Sequence, residues 1–204
     1  MKQKNLLIVL GSIVGSFLIW SAINPKDYLV WFLEVVPALI GVTILALIYP
    51  KFKFTNLVYI FVVLHSIILI VGGHYTYAEN PFFNWIRDYF GLSRNYYDRL
   101  GHLAQGFFPA IILREFLLRK TKLERGKMLF FLVVCMVLAL SASYELFEWL
   151  AAITTSPGTG DAFLATQGDI WDTQWDMFLA LIGAIISLLI FSKYHDKLLR
   201  KIKS

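Results

Sequence analysis

Three short stretches hold the residues of this chain that could do chemistry. Asp98, His102 and Gln105 recur at i, i+4, i+7 in YDRLGHLAQG. Ser141, Glu145 and Glu148 repeat that spacing around SYELFEW, and Asp169, Asp172 and Asp176 follow at i, i+3, i+7 in GDIWDTQWDM. On a helix each set shares one face. Carboxylates with an imidazole and no nearby thiolate favour Zn, Mn, Fe or Mg over softer metals, and acid/His positions one turn apart are how helical bundles build carboxylate metal sites. The expected ligands of a divalent ion are therefore His102, Glu145, Asp172 and Asp176, with His74 of GGHYTYAEN as a second imidazole. Glu148 and Asp98 are the expected catalytic acids, Glu148 as a general base outside the coordination sphere.

The elements that must position these residues are strongly apolar. The chain is 58% hydrophobic with a mean hydropathy of +0.64, against about 45–50% apolar residues in soluble domains. Several runs reach the ~20 apolar residues that cross a bilayer. Six spans are expected, near 6–23, 28–49, 57–73, 100–118, 128–152 and 171–191. The fold class is thus all-α: a polytopic membrane helical bundle forming one integral membrane domain, with no long polar insertion that could fold separately. The first span has a basic start, but its apolar run is too long and SAINP too poor a cleavage site for a signal peptide, so it reads as an uncleaved anchor. In PFFNWIRDYF, Phe82, Phe83, Ile86, Tyr89 and Phe90 oppose Asn84, Arg87 and Asp88, the pattern of a short interfacial helix near 81–90. It is an aromatic anchor or a lid over a site. Cys135 lies in FFLVVCMVLAL and is expected to be a buried, inert thiol.

Lys and Arg set the orientation. With the N-terminus in the cytoplasm, 15 of them fall in cytoplasmic segments (Lys2, Lys4 and Lys203 included) and four, Lys26, Arg87, Arg94 and Arg99, on the other side. That bias places both termini in the cytoplasm of a multi-pass protein of the bacterial cytoplasmic (inner) membrane. The net charge of +5 is spent on topology, and no nucleic-acid partner is expected. At about 1.5 Å per residue, His102, Glu145 and Asp176 then lie roughly 5–12 Å inside the outer ends of their helices, so the three stripes can converge.

An ionised acid at a helix centre costs about 2.5–3.5 kcal/mol to insert. Six carboxyls in one pocket must be protonated, solvated or neutralised by a cation. Arg99 is the adjacent base, yet its position points away from the Asp98–His102 face. Blander readings stand beside this one. Asp169 and Asp172 suit a helix N-terminus, and Asp98 could cap a helix or pair with Arg99. His65 reads as a neutral histidine bonded to a backbone carbonyl or a neighbouring helix, and Glu34 is open. Glu145 and Glu148 resist such readings because they lie in the last turns of an apolar helix, where the dipole disfavours acids.

GGHYTYAENP, YDRLGHLAQGF, YELFEW and GDIWDTQWDM together resemble the YjdF-like family of bacterial inner-membrane proteins, from about the second span to the end of the sixth. A looser likeness joins Asp98/His102, Glu145 and Asp172/Asp176 to the VanZ-like membrane proteins, whose last helix carries an Asn missing here. These resemblances imply a membrane protein and these key residues, but no reaction. The leading expectation is an outward-facing pocket performing metal-dependent hydrolysis or group transfer on a lipid or lipid-linked substrate from the outer leaflet. The rivals are cation- or proton-coupled transport, against which the cytoplasmic halves of the last spans show no polar path, and a purely structural polar cluster.

Overall fold

A computed structural model describes residues 3–203, leaving Lys2 outside the described residues, together with the side chain of Lys203. Among the described residues all regular structure is helical: α1 (Gln3–Ser21), α2 (Tyr28–Ile48), α3 (Asn56–Tyr75), a 3-10 turn (Tyr77–Glu79), α4 (Pro81–Phe90), α5 (Tyr97–Lys120), α6 (Lys127–Thr154), α7 (Pro157–Leu164) and α8 (Asp172–Lys203). Five of these, α1, α2, α3, α6 and α8, are long and apolar enough to cross a membrane. The sixth expected span, α5, is too polar to qualify by hydropathy, with His102, Gln105 and Pro109 in its apolar stretch. Its Asp98, Arg99, His102, Arg114 and Glu115 are nevertheless buried, because α5 packs against α3, α6 and α8.

The segments between the spans differ from expectation in two places. No element is expected between residues 152 and 171, yet Pro157 opens the short helix α7 there, where its fixed φ suits the first helical position. Helix α8 runs a dozen residues past the expected span end. No Gly or Pro follows Gly183 to stop it, and basic residues near its C-terminus complement the helix dipole. Cys135 is exposed on the apolar surface of α6 rather than buried. An apolar surroundings argument cannot separate core from lipid, since both are apolar.

The central feature is the packing of α5 along α8, the most extensive helix pair. The two run parallel, and small residues let their backbones touch. A Cβ on Gly106 would lie 1.8 Å from the Ala180 carbonyl oxygen, and one on Gly183 would lie 2.2 Å from that of Leu103. Ala110, Ala180 and Ala184 are fully buried beside them. Close approach through small residues is the main way helices gain contact in lipid, where no hydrophobic driving force separates helix from solvent. The register of this seam brings the start of α5 to the start of α8, and the end of α5 to the last turns of α8. Between those ends Phe61, Phe107, Phe108 and Phe191 pack with centroids 5.0–5.8 Å apart, edge to face except for the tilted Phe61–Phe107 pair.

Filling the seam is expected to separate the helices. Gly106→Val or Gly183→Val should cost about 3 kcal/mol or more in thermal unfolding, as overpacking of a rigid contact does. Gly11→Ala, which meets nothing within 4 Å, should shift stability by less than about 0.5 kcal/mol.

Candidate functional site

The end of the bundle where α5 and α8 begin gathers the acids. Asp98, His102, Glu145, Glu148, Asp172 and Asp176 are all buried, and Glu34 of α2 joins them. Gly73 makes room for Glu34, since a Cβ there would sit 3.2 Å from the glutamate Cβ. The Tyr144 hydroxyl donates to Glu34 Oε2 at 3.2 Å. His102 stands in the middle. Its Nε2 lies 3.4 Å from Asp98 Oδ1 and 3.8 Å from Asp176 Oδ1, while its Nδ1 faces Glu145 Oε1 at 3.5 Å. Two triads of donor atoms, Asp98/His102/Asp176 and His102/Glu145/Glu148, each fall within 4.8 Å of one another.

Arg99 corrects the sequence reading. Instead of pointing away, its Nη1 donates to Asp176 Oδ1 at 2.5 Å, and its Nη2 to Asp172 Oδ1 at 2.7 Å and to Asp169 Oδ2 at 3.0 Å. Helical spacing places the Cβ, but a guanidinium on three methylenes reaches around the helix, and α8 lies on the side it reaches. Arg94, which the spacing did not single out, does the same. Its Nη1 donates to Asp172 Oδ1 at 2.6 Å, and its Nη2 to the Ala165 carbonyl at 3.1 Å and to Asp98 Oδ2 at 3.3 Å. The signal for both arginines lay in the charge count, because they are two of the four bases assigned to that side. The loop that supplies the Ala165 carbonyl is held in left-handed backbone at Ala165, Gln167 and Gly168 (φ +50°, +51° and +84°). Such strain persists where its surroundings fix it, here through Gln167, which both accepts from the Asn95 N–H at 2.8 Å and donates to the Asn95 carbonyl at 2.9 Å.

The remaining assignments divide. Asp169 is on the rim, with a side chain 28% exposed, and besides meeting Arg99 it accepts from the Trp171 N–H at 2.9 Å in the turn that leads into α8. Asp172 is taken up by the two arginines. His74 is not brought to the cluster: its Nδ1 pairs with the Ser21 carbonyl oxygen at 3.0 Å and its ring lies 4.4 Å from that of Trp20. It sits at the end of α3, where α1 and not α5 is the neighbour. The Nε2 of His65 has no protein partner, contrary to the carbonyl or helix bond expected for it. Helix α4 does not cover the acids. It is anchored by Asn84, which accepts from Asn95 Nδ2 at 2.8 Å, and turns Phe82, Trp85 and Tyr89 outward in a stack with centroids 6.0 and 5.6 Å apart.

Two properties set this cluster apart. Its seven carboxyl groups face two guanidinium groups and one imidazole. And His102 Nδ1, Glu145 Oε1, Gln105 Oε1 and Ser141 Oγ are buried without a hydrogen-bond partner among the described residues, each such atom costing about 1–3 kcal/mol. The opposite end of the α5–α8 pair carries a second buried polar cluster with neither property. Glu115 accepts from the Thr55 N–H at 3.0 Å, the Thr55 hydroxyl at 2.7 Å and Arg119 at 2.7 Å. His195 lies between Arg114 (2.9 Å from Nδ1) and Glu115 (3.0 Å from Nε2). A guanidinium only donates, so Nδ1 accepts and Nε2–H donates to Glu115, which fixes the tautomer. Arg114 and Arg125 both bind Asp196, at 2.8 and 2.9 Å.

These features define a multi-pass, all-helical integral membrane protein with an acid-rich pocket inside its bundle. The chain belongs to the family described as "Predicted membrane protein (DUF2238)", which it matches over residues 6–197. It is 46% identical over 184 residues to the inner membrane protein YjdF of Escherichia coli (strain K12), covering 90% of this chain and 88% of the relative. The YjdF-like resemblance and the bacterial inner membrane are thereby shown. No solved structure matches the chain.

Removing one partner from this ion network should cost more than removing a rim acid. Arg99→Met leaves Asp172 and Asp176 under-compensated, and about 3–5 kcal/mol of stability should be lost, partly recovered in Arg99→Met/Asp176→Asn. Asp169→Asn should cost less than about 1 kcal/mol. Thermal unfolding in detergent reads all three.

Proposed function

We propose that this protein holds a divalent metal ion in an outward-facing pocket and uses it for hydrolysis or group transfer on a lipid or lipid-linked substrate. The excess of basic residues at the opposite side of the membrane supports this orientation, with both termini cytoplasmic. The observation that carries the reading is His102. Its Nε2 side faces Asp98, while Nδ1 and Glu145 Oε1 confront each other across 3.5 Å with no hydrogen bond to occupy either. A histidine whose second nitrogen is oriented by a carboxylate is the usual arrangement behind a metal-binding imidazole. In this reading His102 Nδ1 and Glu145 hold the ion, with Zn, Mn, Fe and Mg all compatible with one nitrogen and several oxygens. Asp98 orients the imidazole, and Glu148 takes a proton as general base. Asp172 and Asp176 are drawn toward Arg99 and act from the far side of the ring. A divalent ion there supplies a Lewis acid that polarises a phosphoryl or carbonyl oxygen and acidifies water.

Access for a substrate is supported by a cleft of about 580 Å³ lined by Arg94, Tyr96, Arg99, Asp169, Trp175 and Leu179. Trp175 also borders an apolar trough with Trp171 and Phe178, so a polar head and an apolar tail would each meet matching surface. Transport is the rival use of an acidic pocket. The phenylalanine stack between the two polar clusters argues against it, as does the complete pairing around Glu115 and His195.

Purified protein should contain close to one equivalent of divalent metal by elemental analysis. Chelation should lower its melting temperature, and His102→Ala and Glu145→Gln should abolish both metal and chelator response. Absence of metal from the native protein after reconstitution with Zn, Mn, Fe and Mg, combined with proton or cation flux in liposomes, would replace this reading by transport.

A further inference from the structure

Beside the candidate metal ligands, α2, α3, α5 and α6 enclose a second space. It has a volume of about 50 Å³ and is lined by Glu34, His65, Tyr77, His102, Gln105, Tyr144 and Glu148, with Pro37, Leu69 and Gly101. Its walls are built closely. A Cβ on Gly101 would lie 2.7 Å from the Tyr77 ring, and one on Gly72 would lie 2.2 Å from it, so both glycines are needed to seat that tyrosine. Two of the lining side chains end in orphan atoms, His65 Nε2 and Gln105 Oε1, besides the His102 Nδ1 assigned to the ion above. His102 is 96% buried by its 4% exposure. His65 lies at the middle of α3, and its ring stacks on Phe108 with centroids 5.9 Å apart, so the polar lining stops at the phenylalanine stack.

Buried polar atoms are satisfied by protein or by ordered water. A water needs roughly 10–15 Å³ of such volume and two to four polar partners. The space therefore suits about three waters, and it is too small for a sugar or a lipid headgroup that could accept a transferred group. We infer that this cavity is the water site of the reaction, so that the chemistry of the neighbouring pocket is hydrolysis and not transfer to such an acceptor. The inference rests on the metal-site reading above and narrows it. A water from the cavity forms a bond through its oxygen to the phosphorus or carbonyl carbon of a substrate held in the cleft. Glu148, which lines the cavity, takes one water proton. The bond to the leaving oxygen breaks, and the proton passes from Glu148 to that oxygen, so that one water is divided between the two products. Tyr144, Tyr77, Gln105 and His65 hold the waters in place and are positioning residues.

X-ray radiolysis of the full-length protein in nanodiscs, read by mass spectrometry, tests this, because hydroxyl radicals formed from bound water oxidise the side chains around it. Tyr77 and Tyr144 should be oxidised several-fold faster than Tyr97. Tyr97 is as buried as Tyr77, but its hydroxyl donates to the Ile68 carbonyl at 2.7 Å and it does not line the cavity. His65→Leu should lower the oxidation of Tyr144 by about half or more. Tyr77 and Tyr144 as silent as Tyr97 would show a dry cavity and overturn the inference, and this native comparison decides the matter even if His65→Leu fails to fold. Metal content measured on the same sample separates the two claims. A dry cavity with bound metal removes the water site and leaves the metal reading. A hydrated cavity that never binds metal leaves the water site and removes the hydrolytic step.

Discussion

The contact on which the rest depends is the close parallel approach of α5 and α8 at Gly106 and Gly183. Both helices have their charged groups toward their ends, and backbone contact at the middle fixes which ends meet. With Ala180, Ala184 and Ala110 completing the seam, there is one register in which the small residues nest. That register sets Arg99 against Asp176 and Arg114 against His195 at once. In lipid, apolar side chains gain little by meeting each other rather than acyl chains, so the polar ends and the small-residue middle must carry the specificity. A shift of one residue along α8 would rotate its acids by about 100° away from the arginines.

The same seam holds two polar clusters of opposite character. Around Glu115 and His195 every described polar side chain has a partner, and three arginines face two carboxylates. Such a network is a tie between α3, α5 and α8 that includes the turn before α3 through Thr55. Around His102 the acids outnumber the bases, and several buried donors and acceptors have no partner. A half-satisfied network is less stable than an apolar core of the same shape, so its presence calls for something beyond adhesion. The contrast within one molecule matters more than either cluster alone, since both are built on the same pair of helices in the same medium.

Much of this was legible from spacing. The three stripes lie on the faces that i, i+4, i+7 periodicity assigns them, and five of the six spans stand out by hydropathy alone. What periodicity cannot carry is the reach of long side chains and the identity of the neighbouring helix. The Cβ of Arg99 lies off the acidic face, yet its guanidinium meets the acids that α8 brings beside it. Arg94 precedes α5, outside any helical pattern. His74 has the right depth but the wrong neighbour, because α1 and not α5 lies beside the end of α3. The Glu115–His195 cluster escaped for another reason: its residues are adjacent to the basic, solvent-directed ends of α5 and α8, where composition reads as topology signal. Burial of Cys135 failed since lipid and protein core look alike to a hydropathy scale.

The orphan atoms also bear on how the protein must behave when it works. If several buried groups lack partners in the unliganded chain, a ligand that supplies those partners binds the folded state selectively and stabilises it by an amount that grows with its concentration over its dissociation constant. The strained loop at residues 165–168 and the doubly used Asp172 place that stabilisation where the cleft and the pocket adjoin. Arg99 connects them, because it contacts Asp169 on the rim and Asp176 beside His102. An occupant of the cleft that draws Arg99 toward itself would weaken the hold on Asp176 and increase the negative charge around His102. For the divalent ion proposed above, binding in the cleft would then strengthen the grip of the pocket, a coupling through one side chain that does not require the helices to move.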